Sequence, residues 1–394
     1  MFKTNHSNTQ AAPPTTTRIA SIDLLRGLVI LIMMVDHVRE RFFMHTPVGD
    51  PIHDTVTTEF FFTRFVTHLC APIFIFLAGM SAYLYAHPNN RPFRSPSSFL
   101  FKRGLVIIGI EVVLYYLVWV DFIATTVWLQ VLWAIGVSMI GLAAASHLPR
   151  WAIGALGLVI VFGHNALSPI EFSPGEWGYV IWSILHDQND LGTVFGLKFR
   201  SSYPVLPWFG VILLGYFCGS LYGQTTSTQT RTKALLIGGV SCIAIMLLLR
   251  SFNIYGETLP WATQSTTITT IRDFLNFSKY PPSLLYILTT LGIGAFLLAG
   301  LDAVKKANPI TRLLAVYGSV PMFAYVVHLY VLLAAYWVCY WIVGPNYGER
   351  FGLHTVADIW LGALVLIAAL YYPASRFSSY KHREKHNKPW LSYL

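Results

Sequence analysis

Apolar runs long enough to cross a bilayer recur along the chain at roughly 20–43, 60–86, 99–120, 124–146, 150–167, 204–223, 233–250, 281–300, 313–343 and 355–374. The pattern predicts an all-α, polytopic membrane protein, a bundle of about ten transmembrane helices. Pro72, Pro207 and Pro321 fall inside these runs and predict kinked spans. The runs divide the chain into a polar, disordered tail at 1–19, a membrane domain at 20–374 and a basic tail at 375–394.

Composition agrees with the pattern. With 55% hydrophobic and 11% charged residues over 394 positions, the chain is too apolar for an ordinary soluble domain. The net charge of +9 does not point to nucleic acid, because the basic residues concentrate in alternate loops, such as Arg91, Arg94, Lys102 and Arg103, then Lys305, Lys306 and Arg312. The positive-inside rule then places both termini in the cytoplasm. The four cysteines lie in apolar stretches without C-x-x-C spacing, which predicts packing roles and neither a metal site nor a disulfide framework.

The first run, Ser21 to Met44, stands apart. Its centre from Leu28 to Val35 is wholly apolar, yet Asp23, Arg26, Asp36, His37, Arg39, Glu40 and Arg41 crowd its ends. Arg26 and His37 are close to three helical turns apart, so they share one face at a separation of roughly 16 Å. Such a stripe suits an extended ligand held at both ends, or, more simply, snorkelling and capping at the two interfaces.

Other ionisable residues lie within the runs. Arg64 and His68 share a helical face in the second. Glu111 lacks a partner in its own segment and is expected to pair with Arg26 or Arg64, while His328 reads as a packing histidine unless others join it. Two long outward segments, 168–203 and 251–280, mix acidic and aromatic residues in a way that suits a carbohydrate or an interfacial belt. Walker, G-x-G-x-x-G, H-E-x-x-H and G-x-S-x-G motifs are missing from the sequence. His37, flanked by Asp36, is the candidate base or acyl-carrying nucleophile.

The stretch R-I-A-S-I-D-L-L-R-G-L followed by Met34-Val35-Asp36-His37 resembles the first helix of the heparan-α-glucosaminide N-acetyltransferase-like family and the broader transmembrane acyltransferases. Further segments resemble the bacterial branch: TRFVTHLCAPIFIFLAG (63–79), YPVLPWFGVILLGYFCG (203–219), KYPPSLLYILTTLG (279–292) and YGSVPMFAYVVHLY (317–330). The resemblance implies a bacterial inner-membrane enzyme that moves an acetyl group from cytoplasmic acetyl-CoA to a sugar amine or hydroxyl across the bilayer. A homodimer is expected by the same analogy.

On this reading Arg26, with Asp23 and Arg103, receives the donor, and His37 meets the acyl group and the saccharide acceptor. Arg64, His68, Glu111, Lys279, Tyr280 and His328 are substrate-binding or structural. The lysosomal member of the family departs at His37, where it has asparagine, and its functional histidine falls near His45, which makes His45 the second candidate. The alternative function is a proton-linked transporter of a polar solute running through Arg64, His68, Glu111 and His328.

Overall fold

The computed structural model describes residues 20–53, 55–89, 91–115 and 126–393, so the expected tail at 1–19 and the join between the third and fourth predicted spans lie outside the described residues. The helices are α1 (Ala20–Phe42), α2 (Thr58–Thr67), α3 (Cys70–Ala86), α4 (Ser97–Ile110), α5 (Val131–Ala145), α6 (Arg150–Gly163) and α7 (Tyr179–Leu185). They continue with α8 (Val205–Cys218), α9 (Thr228–Ser251), α10 (Thr267–Phe274), α11 (Leu284–Asp302), α12 (Pro309–Ser319), α13 (Pro321–Val343) and α14 (Val356–Glu384). Polar caps set several starts: Ser227, Ser283 and Asn308 accept from Thr230, Tyr286 and Thr311 backbone N–H groups at 3.1, 3.0 and 2.9 Å.

Seven helical stretches among the described residues are long and apolar enough to span a membrane, which makes this a multi-pass membrane protein. α1 is not among them, because of the charges at its ends. It is instead the axis of the bundle, packed by α3, α11, α12, α13 and α14, with Val29, Ile30 and Met34 fully buried. Apolar side chains point outward on the peripheral helices, as at Leu248, Ile342 and Leu361, where hydrocarbon satisfies them as well as a protein core does. α1 and α12 approach until backbones touch: a Cβ on Gly27 would strike the Leu314 carbonyl, and one on Gly318 would strike that of Asp23.

Two predicted spans are broken. The run 60–86 is interrupted at His68 and Leu69 between α2 and α3, and 313–343 is interrupted at Val320 between α12 and α13. Two of the three prolines stand where the predicted spans bend: Pro72 follows the break at His68 and Leu69, where the His68 carbonyl accepts from the Tyr286 hydroxyl at 2.9 Å, and Pro321 follows the break at Val320. Pro72, Pro207 and Pro321 each lie in the first turn of α3, α8 or α13, where the missing N–H has no intrahelical acceptor to lose.

A small sheet also lies inside what read as loop and span. β1 (Thr126–Leu129) runs parallel to β3 (Leu197–Ser201), which pairs antiparallel with β2 (Asp190–Val194). The β2–β3 hairpin turns at Phe195 and Gly196, both with positive φ. β1 alternates buried Val127 and Leu129 with exposed Trp128, a period hidden in the apolar run TVWLQVLW. The strand edge continues as Ser202 N–H to the Leu129 carbonyl at 3.0 Å, which sets the neighbouring Tyr203 against the bundle.

The long segment 251–283 is anchored by Arg250. Its guanidinium donates to the carbonyls of Leu259, Asp273, Phe274 and Asn276 at 2.7, 2.9, 3.0 and 3.3 Å. Asn276 in turn exchanges hydrogen bonds with the backbone of Ile52 at 2.9 and 2.8 Å, which ties this segment to the loop after α1.

Candidate active site

A cavity of about 520 Å³ runs beside α1. At one end it is lined by Asp23, Arg26, Arg94, Arg103 and Lys381, and at the other by Asp36, His37, Tyr203, Lys279 and Tyr325. Between them the wall is apolar, with Met33, Ala71, Phe74, Ile107, Leu132 and Met139. The stripe on α1 therefore faces one continuous space.

At the first end Arg26 donates to Asp23 at 2.7 Å, to Ser81 Oγ at 2.8 Å and to the Gly318 carbonyl at 3.3 Å. The last turn of α12 supplies that carbonyl, and Lys381 reaches the next one, on Ser319, at 3.4 Å. Arg103 lines the cavity with a buried Nε that has no hydrogen-bond partner among the described residues.

At the second end His37 Nδ1 and His328 Nε2 stand 2.5 Å apart, with the two rings parallel to within 1°. His328 Nδ1 lies 2.7 Å from the Ala324 carbonyl, one turn earlier on α13. A carbonyl only accepts, so His328 carries its proton on Nδ1 and offers the lone pair of Nε2. His37 then donates through Nδ1, and in its neutral form its basic lone pair sits on Nε2. Tyr325 meets both rings edge-on, with centroids 5.9 and 5.8 Å away.

Beside this pair lies a buried ion cluster. Asp36 accepts from Arg39 at 3.0 Å and from Arg64 at 2.8 and 3.0 Å, with Lys279 Nζ at 4.0 Å. Arg39 also donates to Glu40 at 3.0 Å, and the second Glu40 oxygen is 3.9 Å from His37 Nε2. Arg39, Arg64 and Lys279 share this end with the carboxyls of Asp36 and Glu40. Asp36 thus organises cations and makes no hydrogen bond to the His37 ring.

Lys279 is placed from outside the helices. Its backbone N–H donates to both Asp50 oxygens at 3.0 and 3.1 Å. Burial pushes the Asp50 carboxyl above the usual carboxylate range, and the Lys279 N–H opposes that shift. Tyr280, the next residue, shares a 2.9 Å hydroxyl contact with Tyr203.

The remaining candidates lie elsewhere. His68 stands at the α2–α3 break with its ring edge-on to Tyr286 at 5.5 Å, outside the cavity lining. His45 stacks on Tyr347 at 3.6 Å in a separate shallow depression with Met44 and Arg350, and burial together with His354 lowers its imidazole pKa. Glu111 does not pair with Arg26 or Arg64, which Asp23 and Asp36 hold; its Oε1 accepts from the Gln130 backbone at 2.7 Å, at the start of β1's exit into α5. Tyr203 stood among the aromatics of the outward segment 168–203, while sequence reasoning missed Ser81, Asp50, Tyr325 and Lys381. Only Tyr325 left a trace, being one turn before His328 on the same face.

The family model described as heparan-alpha-glucosaminide N-acetyltransferase, catalytic, matches residues 18–255. The chain belongs to this family and is a membrane acetyltransferase. Comparison with curated proteins gives no match. The matched region supplies Arg26, Asp36, His37 and Arg64, whereas Lys279, Tyr325, His328 and Lys381 come from beyond it.

Proposed function

We propose that the protein transfers an acetyl group from acetyl-CoA, bound at the Arg26 end of the cavity, to an amine or hydroxyl of a saccharide presented at the His37 end. The observation that carries this reading is the continuous cavity from Arg26, Arg103 and Lys381 to His37. Its basic mouth suits the phosphates of CoA, and its apolar middle suits the pantetheine arm. The Lys- and Arg-rich loops at the Arg26 end support a cytoplasmic donor side.

His37 Nε2 takes the proton of the attacking amine or hydroxyl as that heteroatom bonds to the acetyl carbonyl carbon. Lys279 and Arg64 favour the negative charge that develops on the carbonyl oxygen. The C–S bond then breaks and the departing thiolate receives the proton from His37. Transfer is direct, with His328 holding the base in orientation.

The test is isothermal titration of acetyl-CoA, with CoA as competitor, against wild type, Arg26→Ala and His37→Ala in detergent. Saturable binding that weakens in Arg26→Ala and persists in His37→Ala is expected, with acetyl transfer lost in His37→Ala. Absence of binding by folded wild type overturns the donor assignment, and normal turnover by His37→Ala moves the chemistry to another residue, His45 first.

A further inference from the structure

Lys279 brings a cation to the His37 end from a turn and not from a helix, and that turn is tied at several points. Within it, Lys279 bridges to Pro282, and the Ser283 N–H donates to the Ser278 carbonyl at 2.9 Å. From the chain just after α6, Asn165 Oδ1 accepts the Leu284 N–H and His164 Nε2 meets the Pro282 carbonyl, both at 2.8 Å. From the loop after α1, both Asp50 oxygens accept the Lys279 N–H.

The ammonium at the far end of this side chain is left open. Lys279 is only 4% exposed, and it lines the cavity together with His37 and Tyr203. The carboxylate oxygen facing its Nζ, Asp36 Oδ2 at 4.0 Å, already accepts from Arg64 at 3.0 Å. Among the described residues the ammonium makes no hydrogen bond, and its other neighbour is the Tyr280 ring, with the centroid 5.0 Å away. Three N–H donors in a buried site are costly unless a ligand supplies an acceptor. Asp50 grips the backbone of this residue, so it sets where the lysine starts without occupying its ammonium.

We infer that Asp50 is a positioning residue for acetyl transfer: it fixes the Lys279 backbone so that the ammonium donates to the acetyl carbonyl oxygen as negative charge builds there. This rests on the direct-transfer reading above. It separates Lys279, which meets the reacting atoms, from Asp50, which acts only through Lys279.

A double-mutant cycle tests this, read as thiol release from acetyl-CoA with glucosamine as the probe amine, beside isothermal titration of CoA. Lys279→Ala is expected to lower turnover by about 10²–10³-fold, the loss that follows removal of one oxyanion donor. Asp50→Ala is expected to lower it by about 10²-fold through misplacement, and Asp50→Asn, which keeps an oxygen for the N–H, to regain most of that loss. In the Lys279→Ala background, Asp50→Ala is expected to change turnover by less than about twofold, because the lysine it serves is gone. CoA affinity is expected to stay within about twofold in every variant, since the lost interaction belongs to the transition state. If Asp50→Ala does not fold, Asp50→Glu runs the same cycle, because it keeps the charge and shifts the oxygens by one methylene. An Asp50 with a merely structural role gives losses that multiply in the double variant. That result, or full turnover in either single alanine variant, overturns the inference and leaves the donor assignment standing. Folded wild type that binds CoA and releases no thiol overturns the transfer step and the inference with it.

Discussion

His37 Nδ1 and His328 Nε2 lie 2.5 Å apart across the α1–α13 contact, and the second imidazole is fixed by the Ala324 carbonyl. The pair resembles a base and its orienter, with a backbone carbonyl as the final anchor. His328→Ala removes the acceptor for the His37 Nδ1 proton and lets the ring turn. Acetyl transfer is expected to fall by about 10²–10⁴ while CoA affinity stays within about twofold. His328→Gln, whose amide oxygen can accept the same proton, is expected to recover part of the rate. Single-turnover kinetics beside CoA titration checks the split, and equal rates in all three proteins refute the role.

The ion cluster gives an asymmetric prediction. Asp36 is the shared partner of Arg39 and Arg64, with Lys279 close by. Asp36→Ala strands those cations in a buried site and is expected to cost about 3–5 kcal/mol. Arg64→Leu leaves Asp36 bound to Arg39 and is expected to cost less. Thermal unfolding in detergent ranks the two.

Helix approach supplies a third test. Gly27→Ala places a methyl against the Leu314 carbonyl, whereas a Cβ at Gly238 on α9 meets nothing within 4 Å. The first substitution is expected to destabilise by at least about 1–3 kcal/mol through overpacking. The second is expected to be neutral or stabilising by up to about 1 kcal/mol, because alanine orders a helix at lower entropic cost. Paired melting curves decide it.

Asp50 predicts a pH dependence of stability. Burial raises its pKa in the folded chain. A carboxyl with a raised folded pKa holds its proton more tightly when folded, so stability falls as pH climbs from the ordinary carboxylate value through the folded one. Asp50→Asn keeps an oxygen for the Lys279 N–H and removes that titration. The difference in melting temperature is expected to move in favour of Asp50→Asn as pH rises above the ordinary carboxylate range, then to level off once the folded carboxyl is ionised. A difference that does not vary with pH contradicts the assignment.

Much of this molecule is legible in one dimension because a bilayer imposes a simple rule: backbone polar groups must be satisfied within each span, so apolar length reports helices. Pro72 and Pro321 mark the breaks at His68 and Val320. The same rule concealed β1, which lies in residues as apolar as a span, because buried neighbours and not local sequence decide its conformation.

The sequence by itself determined that α1 carries a basic group and a histidine on one face, since three helical turns align Arg26 and His37 whatever surrounds them. It also marked Arg64, Glu111 and His328 as costly residues that need partners. Which partners they found was decided only by the tertiary structure. Lys279 reaches Asp36 through a loop held by Asp50, His328 meets His37 from a helix 291 residues away in the chain, and Glu111 is left with a backbone N–H where an arginine was expected. Those pairings depend on helix crossings and loop anchors that no periodicity encodes, because an ion or hydrogen bond is set by distance in space and helical pattern specifies only direction.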